Sequence, residues 1–248
     1  MIRLKNENQI LGIKKSCKLL AQLFDSVLPQ IKAGMTTMDI DYLCKTYIES
    51  HDGIPAWYSQ DFPGAANVSV NNEIIHGVPK KSKRIKDGDI VTVDCGIDLN
   101  GFYSDAARTI AIGQISDEAQ KLMEITEKCF WAGFEACKVG NRIRDISEAV
   151  FDIADSAGYG VVTDYCGHGV GLDVHEDPSV PNYPFRGPNK RIQAGMVLAV
   201  EPMINVGTGD VDHLDDGWTV VTADGKLSAH YENTIAVFPD HSEVLTIL

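Results

Sequence analysis

The chain has 248 residues, 35 of them acidic and 22 basic, for a formal charge of −13, and 44% are apolar. Such a chain can bury a core as one large or two small domains, which excludes disorder as its main state, and its acidity argues against specific nucleic-acid binding. No apolar run approaches the ~20 residues of a membrane span, and the opening MIRLKNENQILGIKKSCK carries charges where a signal peptide needs its apolar region, so a cytoplasmic location off the membrane is expected.

Ile10, Ile13, Cys17, Leu20, Phe24, Val27 and Ile31 recur every three or four residues, which predicts an amphipathic helix through the first thirty residues, stopped at Gly34. Thr36 or Thr37 opens a second helical pattern through Tyr42, Leu43 and Ile48 that ends near Gly53. The run Lys80-Lys81-Ser82-Lys83-Arg84-Ile85-Lys86 reads as a solvated loop before a strand, with contact to an RNA surface as the alternative. Beyond it, Ile90 to Asp94 and the stretch from Phe102 flank Asn100-Gly101, a strong two-residue hairpin signal. That turn sets Leu99 opposite Phe102, Asp94 opposite Ala107 and Gly96 opposite Asp105. Asp94 and Asp105 then share a face as diagonal neighbours, with Cβ atoms ~7–8 Å apart or less.

From Ser116 the plan repeats. Asp117 and Glu118 begin a helix with Leu122, Ile125, Cys129 and Phe134 in period, Gly140 ends it, and a further helix runs from about Asp145 to Gly158. Gly34 is followed five and six positions on by Asp39-Ile40, and Gly140 likewise by Asp145-Ile146. Gly88 precedes Asp94 by six residues as Gly195 precedes Glu201, and both acids end a β-like run. An internal repeat of about a hundred residues follows, and with it an α+β chain of two pseudo-twofold halves with a site between them.

Like charges at Asp94 and Asp105 repel unless a cation sits between them. His168 stands between glycines in Gly167-His168-Gly169-Val170-Gly171, Glu201 ends an apolar strand before Pro202, and Glu232 lies in a β-like run. Acids in apolar strands are costly unless paired or metal-bound. Four carboxylates and one imidazole suit a centre of two ions such as Mn2+, Fe2+ or Co2+. The six cysteines (Cys17, Cys44, Cys95, Cys129, Cys137, Cys166) form no C-x-x-C pair and read as reduced, mostly buried thiols.

Asn72-Glu73-Ile74-Ile75-His76-Gly77-Val78-Pro79, Asp94, Asp105, the His168 motif, His175-Glu176-Asp177-Pro178, Glu201-Pro202 and Asp216-Gly217-Trp218-Thr219 together resemble a type I methionine aminopeptidase. The resemblance spans essentially the whole chain. It implies the pita-bread fold: two pseudo-twofold-related halves, about residues 8–112 and 116–238, with a mainly antiparallel curved sheet covered by helices, in a single catalytic domain over 1–248. Carried over by position, Asp94, Asp105, His168, Glu201 and Glu232 would bind two divalent ions, with a metal-bridging water or hydroxide as nucleophile. Glu201 is then the general acid/base, His175 the group that stabilises the oxyanion, and His76 the group that orients the scissile amide. Phe62, Tyr165 and Trp218 are expected to line a methionine pocket. The implied substrates are the N-termini of nascent polypeptides with a small second residue, and a monomer with transient ribosome contact is expected.

Some positions point elsewhere. Tyr103-Ser104-Asp105-Ala106-Ala107-Arg108-Thr109 and Leu172-Asp173-Val174-His175 look closer to Xaa-Pro aminopeptidases and prolidases, and Val174 stands where an aromatic is common. Against that alternative stand the Asn72 to Pro79 run, the lack of the N-terminal domain those relatives carry, and Asp164 where they often have a second histidine. A binding module that has lost its metal is the remaining reading, and all five ligand positions keep side chains able to hold one. His51, His213, His230 and His241 have no motif around them and are read as ordinary surface or core residues.

Overall fold

The computed structural model describes residues 1–248. Helix α1 (Glu7–Val27) opens with a reciprocal cap, in which the Asn6 side chain accepts from the Gln9 N–H and the Gln9 side chain accepts from the Asn6 N–H. Its apolar period continues to Ile31, but the α-helix stops at Val27 and a 3-10 turn (Leu28–Gln30) follows, because Pro29 has no N–H to extend the ladder. Helix α2 (Thr37–Ser50) starts on Thr36, whose N–H donates to Asp39 Oδ2 at 2.7 Å. Helix α3 (Asp117–Ala136) is capped by Ser116 and ends four residues before Gly140. Helix α4 (Ile143–Ser156) begins two residues ahead of the expected Asp145, since that aspartate accepts from the Arg142 N–H at 2.7 Å and so closes the first turn from inside. The repeated Gly-to-Asp spacing thus has a physical content. Gly34 and Gly140 take left-handed φ values of 94° and 101°, and Asp39 and Asp145 each start the helix that follows.

The principal sheet is antiparallel throughout. Its main strands are β1 (Asn67–Val70), β2 (Ile90–Leu99), β3 (Phe102–Ala111), β4 (Gly167–Gly169), β5 (Glu176–Val180), β6 (Val197–Val200) and β7 (Glu232–Val237). The spatial order is β2, β3, β7, β6, β4, β5, with β1 and Ile54–Pro55 against β2 and Ser242–Val244 against β7. The β2–β3 hairpin has the register expected from Asn100-Gly101, with Leu99 opposite Phe102, Asp94 opposite Ala107 and Gly96 opposite Asp105.

Each helix pair packs a cluster on the sheet, and a third cluster joins Ile10, Ile13 and Cys17 of α1 to Val197, Ala199 and Ala236. Leu20 and Leu23 of α1 and Ile40 and Ile48 of α2 pack on Val91, Val93 and Ile97 of β2. Leu122 and Phe130 of α3 and Ile146 and Val150 of α4 pack on Leu198, Val200 and Ile235. The halves meet at the β3–β7 pair, where Ala107 faces Glu232 and Ala106 faces Asn233. Arg108 fastens this seam: its guanidinium donates to Glu232 O and Asn233 Oδ1 at 2.6 Å each and to Thr246 O at 3.1 Å.

Strand β4 is squeezed between β5 and β6, and a Cβ at Gly167 would lie 2.3 Å from Ala199 O. Gly167→Ala should therefore cost about 1–3 kcal/mol in chemical denaturation, as overpacking does, and lower bound metal by displacing the neighbouring His168. An unchanged denaturation midpoint would show that β4 can shift without penalty.

Candidate metal centre and substrate cavity

The pleat brings the acids to one face. Asp94, Ala107 and Glu232 form a row across β2, β3 and β7, because residues directly opposite in an antiparallel pair project to the same side. Asp105 lies two residues from Ala107 and shares its face. A second row runs His168, Ala199, Thr234 across β4, β6 and β7, with Glu201 two residues beyond Ala199. Alanine at both row centres leaves room for the flanking side chains to converge.

They do converge. His168 Nε2 lies 3.4 Å from Glu201 Oε1 and 3.6 Å from Asp105 Oδ2. Asp105, His168 and Glu232 offer ligand atoms within 4.8 Å of one another, as do Asp94, His230 and Glu232. Glu232 belongs to both groups. Asp94 Oδ1, Asp105 Oδ1 and Glu232 Oε1 are buried with no hydrogen-bond partner, whereas Asp94 Oδ2 accepts from Asn67 Nδ2 at 2.9 Å.

Burial pushes Asp94 up to about 7, against the Asn67 hydrogen bond. It raises Asp105, Glu201 and Glu232 well above the carboxylate range, helped by their neighbours' charges. The histidines move the other way. Burial and the nearby His175 hold His168 down to about 3, burial with His175 and His213 holds His76 to about 4, and burial lowers His175. Orphaned oxygens and crowded like charges fit a divalent cation pair, and a mixed carboxylate–imidazole donor set suits first-row metals.

All ten residues expected at the site line one cavity of about 270 Å³: Phe62, His76, Asp94, Asp105, Tyr165, His168, His175, Glu201, Trp218 and Glu232. Phe62 and Trp218 meet edge-to-face at 5.3 Å, His76 stands edge-on to Tyr165 at 5.6 Å, and the His168 and His175 rings are 4.4 Å apart. Trp57, Asn67, Cys166 and His230 also line the cavity. His230 corrects the expectation of an ordinary histidine: it is 1% exposed, and neither ring nitrogen has a hydrogen-bond partner. Its position two residues before Glu232 was the available signal, since alternation puts both on one face. His213 likewise has a role near the site, hydrogen-bonding the Tyr165 hydroxyl at 2.8 Å.

In the basic run, Lys80 pairs with Asp216 at 2.8 Å, Lys83 with Glu73, and Arg84 donates to Gly34 O, so these side chains tie the loop to the body of the protein. All six cysteines are free, five of them buried.

The fold and this site define a metallopeptidase. Residues 12–239 match metallopeptidase family M24. The chain is 51% identical over 247 residues to the methionine aminopeptidase of Treponema pallidum, covering 99% of this chain and 96% of that protein. The crystal structure of methionine aminopeptidase from Rickettsia prowazekii superposes with a TM-score of 0.96 at 36% identity, covering both chains in full. Prolidase from Pyrococcus furiosus shares the fold at a TM-score of 0.80 and 23% identity, with 99% of this chain and 65% of that one covered. The chain belongs to family M24 and, within it, to the methionine aminopeptidases. Its fold is the pita-bread fold.

The shifted groups set the pH response of the metal-free protein. Above ~6.5, the unfolded histidine value, the histidines are neutral in both states, while Asp94, held up to about 7, keeps a proton that the unfolded chain has released, and the upward shifts of Asp105, Glu201 and Glu232 act in the same direction. The folded state then binds more protons, and stability falls as pH rises. After chelation, the melting temperature should drop between about pH 6.5 and 8, and added Mn2+ should raise it more at the upper pH. A melting temperature that climbs with pH in this window would mean that the carboxylates are ionised and otherwise paired.

Proposed function

We propose that this chain is a methionyl aminopeptidase, a metal-dependent hydrolase that removes the N-terminal methionine of nascent polypeptides when the second residue is small. The observation that carries the reading is one aromatic-walled cavity that holds the convergent ligand groups, in a chain like methionine aminopeptidases over its full length. Residues 1–248 form one catalytic unit, with halves of about 8–112 and 116–238 and the site at their seam. Asp94, Asp105, His168, Glu201 and Glu232 would hold two divalent ions, of Mn2+, Fe2+ or Co2+. Ions bound there would acidify a water toward neutrality and polarise the scissile carbonyl.

The side chains do the rest. Glu201, beside His168 at 3.4 Å, takes the proton of the attacking water and returns it to the leaving nitrogen. His175 is held neutral by burial and donates an N–H to the developing oxyanion. His76, also neutral, stands against Tyr165 and Trp218 and orients the scissile amide. Phe62, Tyr165 and Trp218, with Trp57, bury the unbranched thioether, whose sulfur gains roughly 0.3–1.5 kcal/mol per aromatic contact. No helix is long and apolar enough to cross a membrane. A cytoplasmic monomer with transient ribosome contact through the exposed Lys81 and Lys86 completes the reading.

The Xaa-Pro alternative rests on two stretches, Leu172 to His175 and Tyr103 to Thr109. Of the first only His175 lines the cavity, and of the second only Asp105. Ser104 bonds Ser16 at 2.9 Å, Thr109 bonds Thr92 at 2.7 Å, and Arg108 holds the seam, so the stretch serves packing.

Two outcomes follow. With Mn2+, Fe2+ or Co2+ supplied separately, Met-Ala and Met-Gly peptides should be cleaved while Met-Lys and Met-Glu peptides are largely spared; rapid hydrolysis of Ala-Pro or Phe-Pro with no action on Met-Ala would replace the reading with the Xaa-Pro one. His175→Ala should lower kcat by about 10²–10³, the cost of one lost oxyanion donor, and His76→Ala should lower kcat through a misoriented amide, both at unchanged metal content. Lost metal as the sole defect would turn both into ligands.

A further inference from the structure

We infer that His230 is a further protein ligand of the metal centre and that, with Asp94 and Glu232, it surrounds one of the two ions. The inference rests on the two-metal reading above and adds to it a residue outside the expected ligand set. His230 is 1% exposed and borders the site cavity, yet both ring nitrogens lack a hydrogen-bond partner. An imidazole ordinarily satisfies one nitrogen as donor and the other as acceptor. Its Nε2 lies 3.8 Å from Glu201 Oε2 and 3.8 Å from Glu232 Oε2. Those separations are too long for hydrogen bonds. They suit donor atoms that share an ion, each ~2.0–2.2 Å from it.

The wider geometry agrees. Asp94, His230 and Glu232 mirror Asp105, His168 and Glu232, each group combining two carboxylates with one imidazole and sharing Glu232. The His230 backbone is also held in place from behind. Thr109 Oγ1 accepts from the His230 N–H at 3.1 Å and donates to its carbonyl at 2.8 Å, and the same hydroxyl is tied to Thr92 at 2.7 Å. Without His230, the Asp94 side of the centre is all oxygen. With it, each ion has a nitrogen donor, which favours Fe2+ and Co2+ over the harder Mn2+.

The test is the proton NMR spectrum of the protein loaded with two Co2+ per chain, in which each ligating imidazole gives a hyperfine-shifted, exchangeable N–H signal. We expect two such signals in the unmodified protein and one in His230→Gln. The same substitution should raise one of the two Co2+ dissociation constants about tenfold or more, the low end of what even an outer-shell loss costs, and the Mn2+ constants less. A single signal from the unmodified protein with both ions bound overturns the assignment and leaves the two-metal reading standing. Two signals that persist in His230→Gln overturn it as well, by giving the second signal to another histidine. Failure of the unmodified protein to bind Co2+ at all overturns the two-metal reading, and this inference with it. Should His230→Gln fold poorly, the signal count of the unmodified protein decides alone.

Discussion

Four carboxylates that face one another in a buried cavity cannot all carry charge unless cations share the space, and the rest of the architecture is arranged around that constraint. Asp94, Asp105, Glu201 and Glu232 are each less than a tenth exposed, and their mutual repulsion adds to the cost of burial. The sheet holds them together regardless. Ala107 and Ala199 keep the row centres narrow, and Arg108 bonds the backbone of the two central strands from a position where its charge also eases the burden on Glu232. The two helix pairs press separate clusters against either side of this seam, and α1 reaches across it to Val197, Ala199 and Ala236.

Much of this was legible in the chain because the informative signals were local. Asn100-Gly101 specifies a turn, the turn specifies a register, and the register alone sets Asp94 and Asp105 on one face. The two Gly-to-Asp spacings were readable for the same reason, since a left-handed glycine followed by an aspartate in the first helical turn is a local stop-and-start signal. Helix ends were less legible: apolar period outran the backbone at Pro29, and Asp145 lies inside the helix it was expected to open. Asn67 and Trp57 were missed because they meet Asp94 only through pairings between distant segments, β1 on β2 and the Trp57 indole on the Asp94 carbonyl at 3.3 Å. No local pattern encodes those pairings. His230 was missed for a different reason, in that alternation with Glu232 was visible but an isolated histidine carries little weight until its surroundings are known.

The shared fold separates the roles of frame and wall. Prolidase from Pyrococcus furiosus has the same fold at low identity, so the frame alone does not define a substrate. On the function proposed above, selectivity belongs to the cavity walls. Val174 is fully buried in one cluster with Trp57 and Phe62, and Trp218 packs against them. The indole of Trp57 stacks toward His175 at 6.3 Å, so this side of the cavity stays aromatic despite the valine.

The shared position of Glu232 has a consequence for the order in which the molecule matures. During synthesis Asp94 and Asp105 emerge early, on a hairpin whose contacts are local and whose core is supplied by α1 and α2. His168 and Glu201 follow, and the residue common to both ligand groups arrives on the last strand of the seam. Local pairings form early and distant ones late, so the first half can compact with two unpaired carboxylates exposed along what will become the β3–β7 junction. A chain that stopped short of Glu232 would leave the β3 edge without its β7 partner. Closing that edge and bringing Glu232 beside Asp94 and Asp105 are then a single event.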